Sequence, residues 1–179
     1  LSYVLHAGTI NLLISVIFFY FFYNLKLNLF YSFVYSLSAS ILAYPSVGTP
    51  FMDHHAAIFA LISVMLLILS FKKNDKIYWF LAPFFLLLSF LCKQIPSAYL
   101  LFLFLVSILV FVIFLAPKNY KFIFYLFAGG ILPLLILSTI FFINDVPFNN
   151  FLIQYFYYPL EIGEVRNQKI NFDLNNIFF

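Results

Sequence analysis

The residues able to do chemistry in this chain are few, and two short stretches hold most of them. The first is Gly48-Thr49-Pro50-Phe51-Met52-Asp53-His54-His55, which sets a carboxylate and a pair of imidazoles where an apolar run resumes. Pro50 makes a turn, and Asp53 stands where a helix should begin. A carboxylate there can serve as an N-cap, accepting hydrogen bonds from exposed backbone N–H groups. It can equally be aimed at a polar cavity, to bind a metal, orient an acceptor or assist a base. His54 and His55 fall in the first turn, where the positive end of the helix dipole favours neutral imidazole. In that form they ligate metal or accept a proton. Adjacent helical residues point about 100° apart, however, so the triplet alone is a poor cage for one ion.

The second stretch is Leu91-Cys92-Lys93-Gln94-Ile95-Pro96-Ser97. Lys93 ends an apolar run, where a lysine commonly snorkels to lipid head groups. As a lone cation facing a carboxylate loop, it also suits contact with a phosphate. A third polar stretch, from Asn144 to Asn176, carries Glu161, Glu164 and Arg166 behind the aromatic cluster Tyr155-Phe156-Tyr157-Tyr158. The aromatics have the make-up of an interfacial belt, and the charges read either as solvated interfacial groups or as further site residues. Glu161 and Glu164 would share a helical face, although Gly163 interrupts it. His6 and Asn11 are isolated inside an apolar run and read as helix-packing hydrogen bonders.

The elements that must position these groups are helices in a bilayer. Hydrophobic residues make up 65% of the chain and charged residues only 8%, and the mean hydropathy is +1.07. That is far from a soluble domain, which is near half apolar and a quarter charged. The 28 Phe and 13 Tyr are packing and interface mass and imply no cofactor by themselves. A net charge of +3 without a basic patch gives nucleic acid nothing to bind. The single cysteine, Cys92, excludes an internal disulfide and a multi-cysteine metal cluster.

Six apolar runs predict an all-α polytopic bundle: 3–23, 29–44, 56–71, 77–92, 98–115 and 122–143, followed by an interfacial segment over 144–176. The turns after the first, third and fifth runs hold Lys26, Lys72, Lys73, Lys76, Lys118 and Lys121. The positive-inside rule places these in the cytoplasm. Asp53, His54, His55, Lys93, Asp145, Glu161, Glu164 and Arg166 then fall on the extracytoplasmic side. The chain starts at Leu1 and stops at Phe179 inside another apolar stretch, the ends expected of an internal piece of a longer protein.

In order and spacing, Asn11, Lys26, Gly48-Thr49-Pro50-Phe51-Met52-Asp53, Lys72-Lys73 and Phe90-Leu91-Cys92-Lys93-Gln94 resemble the GT-C membrane glycosyltransferases. The branch they resemble contains the protein O-mannosyltransferases and aminoarabinose transferases (family 39-like). The Asp-His-His triplet also looks like the second acidic motif of some archaeal oligosaccharyltransferase catalytic subunits. The resemblance covers roughly Leu1 to Leu115, and Cys92 stands where the family usually has Thr.

It implies transfer of a sugar from a polyprenyl-phosphate donor to a lipid, glycan or protein acceptor, at the extracytoplasmic face of a bacterial inner membrane. In that picture Asp53 is the second acidic position in a supporting role, and Lys93 contacts the donor phosphate. His54 and His55 are acceptor or metal contacts. No cofactor is required beyond an optional divalent metal, and the principal base lies in an acidic loop ahead of Leu1. A transporter or flippase, and a purely structural membrane subunit, are the competing classes. Transporters usually carry broken helices or mid-membrane polar groups, whereas the charges here stay at the edges.

Overall fold

In the computed structural model, which describes residues 2–43, 51–115 and 120–162, each long apolar run is a helix and no described residue is in a strand. The helices are α1 (Ser2–Asn24), α2 (Leu29–Leu42), α3 (Met52–Lys73), α4 (Lys76–Cys92), α5 (Gln94–Leu115), α6 (Lys121–Ile143) and α7 (Phe148–Leu152). A π-helical turn, Ile153–Tyr157, follows α7, and residues 158–162 continue as helix. The chain divides into two units, Leu1–Leu134 and Leu135–Phe179.

Local chemistry sets the boundaries. Asn28 caps α2, its side chain accepting from the Tyr31 N–H at 2.9 Å. Asn74 takes the left-handed conformation (φ 49) that ends α3, and its N–H reaches the Ser70 carbonyl. Asp75 then caps α4 through the Ile77 N–H at 2.9 Å. A turn this short can only return the chain alongside itself, so α3 and α4 form an antiparallel hairpin.

Among the described residues, four helical stretches are long and apolar enough to cross a membrane: Ser2–Asn24, Met52–Lys73, Ser97–Phe114 and Lys121–Ile143. This is the make-up of an integral membrane protein. The other two apolar helices are shorter. With 14 residues in α2 and 17 in α4, they extend about 21 and 25 Å against a hydrocarbon core of about 30 Å. Four of the six expected runs thus have the length and hydropathy of a membrane span.

Between helices in lipid there is little hydrophobic force, so close packing and hydrogen bonds hold the bundle. The first unit is built accordingly. Ser32, Ser36 and Ser40 form a buried stripe along α2, and Ser40 Oγ donates to the Asn11 carbonyl of α1 at 2.8 Å. Ser63 of α3 donates to the Ala82 carbonyl of α4 at 2.7 Å. Gly129 of α6 lies directly on the Phe80 carbonyl of α4. Phe71, Trp79, Phe111 and Phe122 pack together, with centroids 4.6 Å apart for the tilted pair Trp79–Phe122 and 4.9 Å for the stacked pair Phe71–Phe111.

Contacts at the helix ends fix direction. His6 meets His55, while Lys72 Nζ donates to the Asn24 carbonyl, so α1 and α3 run parallel. Phe71 against Phe111 and Trp79 against Phe122 place the α3 and α5 ends beside the α4 and α6 starts. Lys72, Lys73, Lys76 and Lys121 therefore gather at one end of the first unit. His6, Asp53, His54, His55 and Lys93 gather at the other.

Candidate functional site

Asp53 is the second residue of α3, one position too far in to be the N-cap that was one of its two readings. Phe51 is the N-cap of α3 and makes no side-chain cap bond; its carbonyl instead accepts from the His54 and His55 N–H groups at 3.0 and 3.1 Å. The cap reading of Asp53 is thereby corrected. With no cap role, its carboxylate turns across the bundle, and Oδ2 lies 2.5 Å from Lys93 Nζ. The residues are 40 apart in sequence and meet because the α3–α4 hairpin returns the end of α4 to the start of α3. Their side chains are 68% and 46% exposed, respectively, so the pair is open to solvent and easily parted.

A buried serine pair holds Lys93 in place. Lys93 ends α4 in an extended conformation, its N–H bonded to the Ser89 carbonyl. Ser89 Oγ donates to the Ala56 carbonyl of α3 at 2.6 Å and lies 2.5 Å from Ser97 Oγ. Each hydroxyl has one proton. With that of Ser89 committed to Ala56, Ser97 must donate, to Ser89 or to the Lys93 carbonyl at 3.2 Å. Both serines are essentially fully buried. The start of α3, the end of α4 and the start of α5 are thus tied through the hydrogen bonds of these two hydroxyls within a turn of Lys93. Between Lys93 and the regular part of α5 the backbone breaks at Ile95 (φ −106, ψ 128).

The histidines stand beside this pair. His55 Nδ1 is 2.9 Å from the Phe51 carbonyl. A carbonyl only accepts, which assigns the proton to Nδ1 and leaves Nε2 with the lone pair. The His55 ring stacks on His6 of α1, centroids 5.4 Å apart and planes 19° from parallel. His54 Nε2 is buried without a hydrogen-bond partner among the described residues. Among those residues no three His, Cys, Asp or Glu side chains come together as a metal cage.

Asp53, His54, His55 and Lys93 are therefore neighbours. Glu161 is exposed on the helical residues 158–162 of the second unit, and Glu164, Arg166 and the Gly48–Pro50 turn lie outside the described residues. His6, assigned from sequence to packing, belongs to this cluster. Ser89 and Ser97 were not anticipated at all, though their spacing four residues either side of Lys93 was the available signal. Beside the cluster an apolar groove of about 560 Å³ is lined by Leu86, Phe90, Ser97, Phe104, Leu126 and Leu134 among others. Compared with family models, curated proteins and solved structures, the chain matches none.

Proposed function

We propose that this chain belongs to an integral-membrane glycosyltransferase of the GT-C type, acting on a polyprenyl-phosphate-linked sugar. In this reading α1 to α6 all cross the bilayer, α2 and α4 as short spans. The lysine-rich end faces the cytoplasm by the positive-inside rule, which leaves the Asp53–Lys93 end outside. The observation that carries the proposal is the exposed Asp53–Lys93 pair beside an apolar groove that reaches Ser97. A charged mouth next to an apolar trough suits a substrate with a phosphate head and a long hydrocarbon tail.

The chemistry asked of the pair is limited and specific. The acceptor oxygen bonds to the anomeric carbon as the bond from that carbon to the phosphate oxygen breaks. The departing lipid phosphate carries negative charge, which the Lys93 ammonium neutralises. The acceptor proton passes to a carboxylate. Asp53 supports that step by orienting the acceptor, and the principal base is a carboxylate other than Asp53. His55 Nε2 offers a further acceptor contact. An exposed ion pair contributes only about 0–1 kcal/mol, so an arriving phosphate can take Lys93 and leave Asp53 free for the acceptor.

Sugar transfer by the full-length protein from polyprenyl-phosphate donors tests this directly. Lys93→Ala should lower the rate by roughly 10²-fold, and Asp53→Ala should lower it as well. Full activity in both variants would discard the site, and no transfer from any such donor by the wild type would discard the class.

A further inference from the structure

The lysine-rich end of the first unit holds a second cavity that the proposed transfer reaction does not use. It measures about 370 Å³ and lies between the α3–α4 turn and the start of α6, lined by Asn74, Asp75, Lys76, Trp79, Lys121, Phe122 and Tyr125. We propose that this cavity binds the headgroup of an anionic glycerophospholipid, with Lys76 and Lys121 on its phosphate.

Three features support this. The cavity is preformed: Asn74 is fixed as the α3 C-cap, its Oδ1 accepts from Trp79 Nε1 at 3.0 Å, and Asp75 Oδ1 is held by the Ile77 N–H. Its charge suits an anion, because Lys76 and Lys121 outweigh Asp75 by one positive charge. Third, the cavity lies where two helices of membrane-spanning length, Met52–Lys73 and Lys121–Ile143, end and begin, which is the depth of lipid headgroups. A basic pocket between helices at the headgroup level is a recognised way to hold acidic lipid.

The test uses the full protein in neutral detergent, with phosphatidylglycerol and phosphatidylcholine titrated separately and bound lipid counted by native mass spectrometry. Wild type should retain phosphatidylglycerol over phosphatidylcholine. Lys76→Gln and Lys121→Gln should each weaken that binding roughly fivefold, and the double variant roughly 25-fold. Both side chains are exposed, so the fold should survive, as circular dichroism of each variant would check. Lys26→Gln removes a lysine outside the cavity and should leave binding unchanged. The proposal is overturned if Lys26→Gln weakens binding as much as Lys121→Gln, or if the double variant binds normally. Equal retention of the two lipids, or displacement by millimolar inorganic phosphate, would also overturn it. None of these outcomes depends on whether the protein transfers sugar.

Discussion

Replacing Gly129 with alanine probes the tightest helix contact in the first unit. A Cβ at Gly129 would lie 1.9 Å from the Phe80 carbonyl oxygen and 2.8 Å from its carbon. Carbon and carbonyl oxygen approach no closer than about 3.3 Å even in a favourable C–H···O contact, so α4 and α6 would have to part by roughly 1.4 Å. The obstructing atoms are backbone, which no rotamer change can move. Overpacking of this kind costs about 1–3 kcal/mol, and the upper end applies here because Trp79 and Phe122 are pulled out of contact too. The better helix propensity of alanine offsets about 1 kcal/mol. A net loss of about 2 kcal/mol is expected. Gly130 and Gly8 are the controls. The nearest atom to a Cβ on Gly130 would be Pro83 Cβ at 4.0 Å, and Gly8 has nothing within 4 Å. Alanine at either should be neutral or stabilising. Unfolding by sodium dodecyl sulfate in mixed micelles measures all three. If Gly129→Ala matched Gly130→Ala to within about 0.5 kcal/mol, the close approach of α4 and α6 would be wrong.

Two further outcomes are expected. Ser63→Ala and Ser89→Ala each remove an interhelical hydrogen bond worth about 0.6–1.7 kcal/mol; Ser89→Ala should lie at the high end because it also strips Ser97 of an acceptor, and equal, negligible losses in the same unfolding assay would dissolve the serine knot. A double-mutant cycle on Asp53→Asn and Lys93→Gln should give a stability coupling below about 1 kcal/mol, and a coupling of several kcal/mol would mean that the pair is structural.

Much of this architecture was legible because hydropathy and caps are local. Asn28 and the Asn74-Asp75 turn announce helix boundaries in the sequence, and the lysine turns alternate with the runs. That Asp53 and Lys93 share an end follows from counting runs between them. Their direct contact does not, because it depends on Phe51 rather than Asp53 taking the cap position, a choice of one residue that hydropathy does not make. His6 was read as packing because a lone histidine in an apolar run carries no sign of its neighbour on another helix. The Ser89–Ser97 pair was hidden for a similar reason: serines are common in such helices, and it takes the extended backbone at Lys93 and Ile95 for these two to meet. Glu161 is placed in a helix of the second unit, and Glu164 and Arg166 lie beyond the described residues.

In the proposed arrangement, in which α4 crosses the bilayer, its short reach has a consequence for the surrounding lipid. Asp75 and Lys76 fix its start and Lys93 its end, so polar anchors stand about 25 Å apart where the hydrocarbon is about 30 Å thick. For a spanning α4, a mismatch of about 5 Å would be met by thinning the adjacent leaflets, at a fraction of a kcal/mol per Å. Lipid phosphates beside α4 are then drawn inward toward Lys93 at one end and toward Lys76 at the other. The dimple formed around this helix would bring a lipid-borne headgroup to the depth of either cation before any specific contact is made.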